Sequence, residues 1–349
     1  MNRFVSLLSV LGCLASFFSC SPNVDLYSDY KDIPIVYGLV DYTADTNFVK
    51  ITKAFCGTND HPIDATQAAL ISDSSNYPGK LDVYIVELQS SLGQPYQTTG
   101  RKFFLDTITI HNKETGTFYA PDQKLYYTTE QFKTKSGNNK YKYELFIIKP
   151  DGDTVTATTT PVGGDAGIYT RTFSFQKAHT NETEDLLFRP AEDGVLYELE
   201  MQFNYREQHP GQAMTRKQVS WKYGAKPLYK YDQVGETVYL LKYSKNTLFN
   251  ALKNAIGNDT IWDTNHPNVT RYMDDFVIVM SAAGREYYEN YEMSLVLEDG
   301  NAHSTSAFSN INGGFGLFSS RIKIRHVANL SARTKSDLFS IQSWGFQEE

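Results

Sequence analysis

Between Val195 and Arg206 the chain reads VLYELEMQFNYR, and apolar and polar side chains alternate almost without a break. Val195, Tyr197, Leu199, Met201, Phe203 and Tyr205 fall on one side, with Glu198, Glu200, Gln202, Asn204 and Arg206 on the other. A helix would scatter these residues around its circumference. A period of two lays one set on a core and the other in water. The segment therefore predicts a long strand in a sheet covered on one face. TRKQVSWKYG (215–224) follows after a loop containing His209-Pro210-Gly211, which predicts a long antiparallel hairpin.

Much of the remaining chain repeats the pattern in shorter form. IPIVYGLV and NFVKITKAF are β-rich runs separated by the polar DYTADT. KLDVYIVEL and KFFLDTITIHN flank a Ser/Gly/Pro/Gln-rich spacer, and KLYYTTEQF and YKYELFIIK come next. PDGD then supplies a tight turn in which Gly152 takes a positive φ, before DTVTATT alternates again. VYLLKY and FVIVMSAA are further strands in the second half. Helical signal is sparse. In SKNTLFNALKNAIGND, Leu248, Leu252, Ala255 and Ile256 share a face, with Ser244 placed to cap the start and Gly257 the end. REYYENYEM predicts a short helix carrying Tyr287, Tyr288 and Tyr291; SLVLED predicts a strand; TKSDLFSIQSWGF predicts a closing helix that docks Leu338, Phe339 and Trp344.

The expected fold class is mainly β: two antiparallel β-sandwich-like (Ig-like) domains with a few short surface helices. TPVGGDAG (160–167), three glycines and a proline with little to bury, marks the boundary. It separates an N-terminal domain over 32–162 from a C-terminal domain over 168–349. The 24 tyrosines and 21 phenylalanines fit such sheets, where rings pack on a pleated, half-buried surface. Rings left in the open would instead form a sugar-stacking face.

The N-terminus is of another kind. Arg3 precedes an apolar run from Phe4 to Phe18, which has the length of a secretory signal core and is short for a membrane span. Ser19-Cys20 closes it, a small residue directly before a cysteine, as at a site of bacterial lipoprotein processing. Residues 1–19 then form the signal peptide, and Cys20 carries diacylglycerol and becomes the new N-terminus. Residues 20–31 form a polar tether. Val10-Leu11-Gly12-Cys13 competes as the processed site: it fits better before the cysteine but shortens the apolar core and leaves LASFFS on the mature protein. An ordinary signal peptide cut near Ser19 is the third option. Each buried methylene of a lipid contributes about 0.8 kcal/mol, so two chains already hold a protein stably. Cys56 remains the lone thiol of the exported chain, with no intramolecular disulfide to form.

Motifs for chemistry are few. A net charge of −7 with mixed signs argues against nucleic acid and against an electrostatic hold on anionic lipid. None of the seven histidines pairs with another at helical ligand spacing, and no Cys/His cluster exists, so no metal site is expected. There is no Gly-x-Ser-x-Gly elbow, and Cys56 has no evident base beside it. Asp274-Asp275, before FVIVM, and Asp151/Asp153, around Gly152, are read as solvated acids, since neither spacing matches a calcium loop. The NGGFG run (312–316) lacks the Lys-Ser/Thr of a phosphate loop and leads into a strand, so its glycines serve a bulge or a close backbone contact. Arg321, Lys323 and Arg325 share one side of RIKIRH opposite Ile322 and Ile324, a solvent face or a match for a partner's acidic patch. No catalytic residue, metal or cofactor is assigned.

A cysteine at the leader's end, DIPIVYGLVDYTADTNFVKITKAF, GTFYAPDQKLYYT, YELFIIKPDGDTVTA and SNINGGFGLFSS occur in that order along the chain. In this order of motifs, over nearly the whole mature chain, the protein resembles uncharacterised outer-membrane lipoproteins of Bacteroidota, domains of unknown function often encoded beside TonB-dependent transporters. The resemblance implies a lipid-anchored outer-membrane location and a role in nutrient capture or envelope assembly, with such a transporter as partner. It supplies no catalytic residues. Both the periplasmic and the cell-surface face stay open; SPNVD carries only Asp25 and tilts toward the periplasm. The leading expectation is a non-enzymatic binding or accessory lipoprotein of a nutrient-uptake or envelope complex. The alternative is a fimbrial or adhesin subunit, and a glycan-active enzyme ranks below both.

Overall fold

The computed structural model describes residues 32–54, 76–111, 122–177, 181–229, 232–235, 237–256, 269–298 and 308–348. The signal peptide, Cys13, Cys20, the tether, Cys56, Gly257 and the histidines at 61, 179, 266 and 303 lie outside them. Strand residues (54%) far outnumber helical ones (13%), so the fold is mainly β, with several antiparallel sheets in a sandwich-like arrangement.

One large sheet organises the molecule. From edge to edge it runs β13 (Thr215–Pro227), β12 (Leu196–Gln208), β15 (Thr270–Ala283), β16 (Phe315–Leu330), β1 (Pro34–Val40), β2 (Asn47–Lys53), β6 (Gln123–Thr128) and β5 (Asp106–Ile110). Two short strands join it alongside: β10 (Thr172–Phe173) on β16 and β17 (Phe346–Gln347) on β15. β12 alternates as its sequence predicts, with Leu199, Met201, Phe203 and Tyr205 buried.

Two smaller sheets cover the inner face. β4 (Gln97–Phe104), β3 (Asp82–Ser91), β7 (Asn139–Ile148) and β8 (Thr154–Thr159) lie over the β1–β2–β6 side. Val36, Val49, Ile51 and Tyr126 of the large sheet meet Ile85, Phe103, Tyr143, Leu145 and Ile147 there. β14 (Tyr239–Ser244), β11 (Thr183–Arg189) and β9 (Gly167–Ile168) lie over the other side. They join α1 (Thr247–Ile256) and α3 (Ala332–Phe339) in a second core around Phe175, Phe203, Phe276 and Met280. β16 serves both cores, through Phe318 in the first and Ile322 in the second.

The glycine-rich boundary falls between β8 and β9, yet the large sheet crosses it, because β1 pairs in parallel with β16 from Ile35↔Phe315 to Val40↔Ser320. The NGGFG glycines permit that approach. A β-carbon on Gly316 would collide with the Val36 carbonyl oxygen, one on Gly314 would stand 2.7 Å from the Pro34 oxygen, and Gly316 has φ +120°. Gly152 takes φ +89° in the β7–β8 turn, as predicted.

Several local expectations are corrected. KFFLDTITIHN is not one strand: it breaks at Leu105, whose side chain is buried in the first core, and the chain passes from β4 in one sheet to β5 in the other. The described part of SLVLED, Ser294 to Glu298, is not a strand but completes α2 (Arg285–Glu298), which continues from REYYENYEM without a breaker. In α1, Phe249 is buried while Ala255 is exposed. Ser244 contributes its carbonyl to the Thr247 hydroxyl at 2.9 Å, since the helix begins two residues later than the expected cap implies. Leu338 and Trp344 dock as expected.

Candidate functional site

The outer face of the large sheet changes character along its width. On the β1–β2–β6–β5 side the outward positions follow from the register: Leu317, Tyr37, Lys50, Leu125 and Ile108 form one cross-strand row. Phe48, Tyr127 and Asp106 form the next. Large apolar groups stand in the open here, with Tyr37 54%, Phe48 43%, Ile108 46% and Phe315 48% exposed. Phe48 and Tyr127 lean on each other with centroids 6.3 Å apart.

α2 lies across the sheet where this side ends. Gly284, just before it, donates its N–H to the Ser320 carbonyl at 2.9 Å. The Ser319 hydroxyl accepts the Tyr287 N–H at 3.2 Å and donates to the Glu286 carboxylate at 2.9 Å. The Thr159 hydroxyl donates to the same carboxylate oxygen at 3.2 Å, which ties β8 to the helix start. Farther along, the Tyr291 hydroxyl reaches the Ala225 carbonyl at 3.5 Å.

Clefts open on both sides of α2. The first, about 430 Å³, is lined by Tyr37, Asp41, Phe48, Tyr287, Asn290 and Arg321 among others. The second, about 220 Å³ and more enclosed, is lined by Glu198, Lys222, Ser281, Tyr291 and Lys323 among others, and again by Tyr287 and Arg321. Tyr287 and Arg321 thus stand between the two. Most acids here have a partner: Glu198 pairs with Lys222 at 3.4 Å, Glu200 accepts from the Gln202 amide at 2.8 Å, and one Asp41 oxygen takes the Thr43 hydroxyl and N–H at 2.6 and 2.9 Å. Tyr42 beside it is raised above the ordinary phenol value, first by burial and then by the Asp41 charge, so it is a neutral phenol at physiological pH.

The structure puts the other sequence-named groups to structural use. Asp274 and Asp275 do not precede the strand but lie within β15, where Arg206 meets Asp274 at 2.6 Å and the Asn204 amide meets Asp275 at 3.0 Å. They line a third cleft, of about 600 Å³, together with Arg216 and Gln218. Asp151 and Asp153 clamp the Lys149 ammonium at 2.9 and 3.3 Å. Of the histidines, His111 pairs with Asp122 at 2.7 Å, His209 with Glu207 at 3.0 Å, and His326 stays neutral because burial, then the Arg171 charge, lowers its pKa. Among the described residues, no three His, Cys, Asp or Glu side chains gather as a metal site, and no helix is long and apolar enough to cross a membrane. Arg321, Lys323 and Arg325 are exposed along β16, as their spacing predicts.

Sequence reasoning did not single out Tyr37, Phe48 or Tyr287 as a group. Its one available signal was that IVYGLV and NFVKI carry apolar residues on both phases of a strand, so that one apolar set must face outward. No protein-family model matches the chain, and no curated protein matches it either.

Proposed function

We propose that this protein is a non-enzymatic lipoprotein of the outer membrane, anchored through Cys20, which binds a ligand as part of a nutrient-uptake or envelope complex. The reading is carried by the open aromatic side of the large sheet and the clefts beside α2. Exposed rings next to hydrogen-bonding side chains in a concave, largely preformed surface suit recognition. The anchor rests on the leader, and the likeness to Bacteroidota lipoproteins adds a TonB-dependent barrel as partner. Mass spectrometry of proteins co-purifying with the native, detergent-extracted lipoprotein tests both. An acylated Cys20 peptide and a stoichiometric barrel support the reading; an unmodified N-terminus cut elsewhere, with no barrel recovered, overturns it.

The position of β1 favours a second reading, a fimbrial subunit. β1 is the first described strand, it lies inside the sheet between β16 and β2, and it buries Val36 and Val40 in the first core. Proteolytic release of such a strand would leave a groove that a neighbour's strand could fill. Detergent-stable ladders of the native protein would support that reading, and a single monomer band would remove it.

A further inference from the structure

The charges around α2 are not evenly matched. On β16, Arg321 has Ala283 as its partner across β15, and Ala283 in turn faces Leu196 on β12. Its row on that side therefore contains no carboxylate. Two residues on, Lys323 faces Ser281, and Ser281 faces Glu198, whose carboxylate is already engaged by Lys222. Neither Arg321 nor Lys323 makes an ion pair among the described residues, whereas Arg325, next along the strand, stands 3.9 Å from Asp275. Two exposed cations thus border the clefts without a committed acid, and one of them lines both.

On the far side of Tyr287 the neighbouring cleft offers rings. Tyr37 and Phe48 are about half exposed and sit on adjacent strands, β1 and β2. A sugar ring has an apolar C–H face whose weakly positive hydrogens pack on the negative face of an aromatic ring. Its hydroxyls need donors and acceptors at the rim, and Asn290 and Asp41 line that cleft. A guanidinium matches a carboxylate in a planar, two-pronged fork.

We propose that the two neighbouring clefts, which share Tyr287 and Arg321, bind a carboxylate-bearing oligosaccharide, with Tyr37 and Phe48 stacking on its sugar rings and Arg321, assisted by Lys323, holding a carboxylate. This inference rests on the binding reading above and names its ligand class. Asp41, which follows β1 and lines the same cleft as Arg321, is an acid whose charge opposes binding.

The test is calorimetric titration of the detergent-solubilised full chain with a galacturonate hexamer and with its methyl ester, which keeps the rings and removes the charge. The acid is expected to bind about tenfold tighter than the ester or better, a difference of roughly one good charged contact. Arg321→Gln should abolish the preference by weakening the acid alone, with partial rescue in Arg321→Lys. Asp41→Asn should strengthen the acid alone, and Tyr37→Ala should weaken both sugars. Equal affinity for acid and ester, lost in Tyr37→Ala, overturns the carboxylate assignment and leaves a binding protein for neutral sugars. Binding of neither sugar by a chain with wild-type circular dichroism and melting overturns the inference outright, while barrel co-purification would still support the accessory reading.

Discussion

On β12, β13 and β15 the outward side chains are mostly polar or charged and answer one another: Arg206 with Asp274, Lys222 with Glu198, Asn204 with Asp275. On β1, β2 and β5 the outward side chains include Tyr37, Phe48 and Ile108, left to solvent. The first set of strands runs 13, 13 and 14 residues, the second 7, 7 and 5. A long ladder with a self-satisfied polar face needs no partner to be soluble and stable. Short strands with open rings gain by being covered. Under the proposed binding reading, stability rests on one side of the sheet and recognition on the other, and lesions on the two sides should then differ in kind.

The largest effect is expected deep in the charged side. Arg271 on β15 is fully buried, its Nε and Nη2 meet one Glu207 oxygen at 2.8 and 2.7 Å, and its Nη1 donates to the Trp344 carbonyl at 2.8 Å. Arg271→Ala leaves the buried Glu207 with only His209 as a partner, which should cost about 3–5 kcal/mol in urea unfolding. The same pair sets a pH dependence. Burial raises the Glu207 pKa, but the hydrogen bonds and charge of Arg271, then those of His209, outweigh it and hold the pKa below the ordinary value of 4.5. A lowered folded-state pKa gives stability that is present above the unfolded value and lost as pH falls through the folded one. The urea midpoint should therefore fall as pH drops below the ordinary carboxylate value, and less steeply in Arg271→Ala. Equal slopes in the two proteins would show that Glu207 does not contribute.

A smaller loss is expected at the joint between the sides. Gly316 allows β16 to lie against β1, and it holds φ +120°. Gly316→Ala adds strain of about 1–3 kcal/mol besides its collision with the Val36 oxygen. If the sides are energetically distinct, hydrogen exchange should quicken in β1 and β2 and stay slow in β12 and β15. Uniform quickening would show instead that the sheet unfolds as one unit.

The charged side was largely legible in the sequence, and the joint and the cleft were not. VLYELEMQFNYR fixes its own faces by period, and the solvent phase of Arg321, Lys323 and Arg325 follows from Ile322 and Ile324 between them. The NGGFG glycines announced a close backbone contact without naming the partner. β1 lies some 280 residues from β16, as the Ser320–Val40 hydrogen bond spans, and local periodicity carries no information over that distance. Asp274-Asp275 read as solvated acids because Arg206, which pairs with Asp274, and Asn204, which hydrogen-bonds to Asp275, come from another strand. SLVLED looked like a strand because six residues cannot show whether a preceding helix continues. The cleft needed both the joint and α2 to exist.

The smallest expected change in stability falls on the rings themselves. Tyr37 and Phe48 point outward from β1 and β2, while Val36, Val49 and Ile51 on the opposite phase fill the core. Truncating a half-exposed ring removes little buried area, so Tyr37→Ala and Phe48→Ala should each shift unfolding by no more than about 0.5 kcal/mol. Removing a ring from a stacking platform should nevertheless weaken sugar binding, because stacked area is gained only when a ligand covers it. A large loss of stability with unchanged binding would reverse the assignment of the two sides. It would mean that the rings are covered within the folded chain and serve its core. Unchanged melting with lost binding would place recognition on the aromatic side, because that outcome requires the rings to be dispensable for the fold and necessary for the ligand.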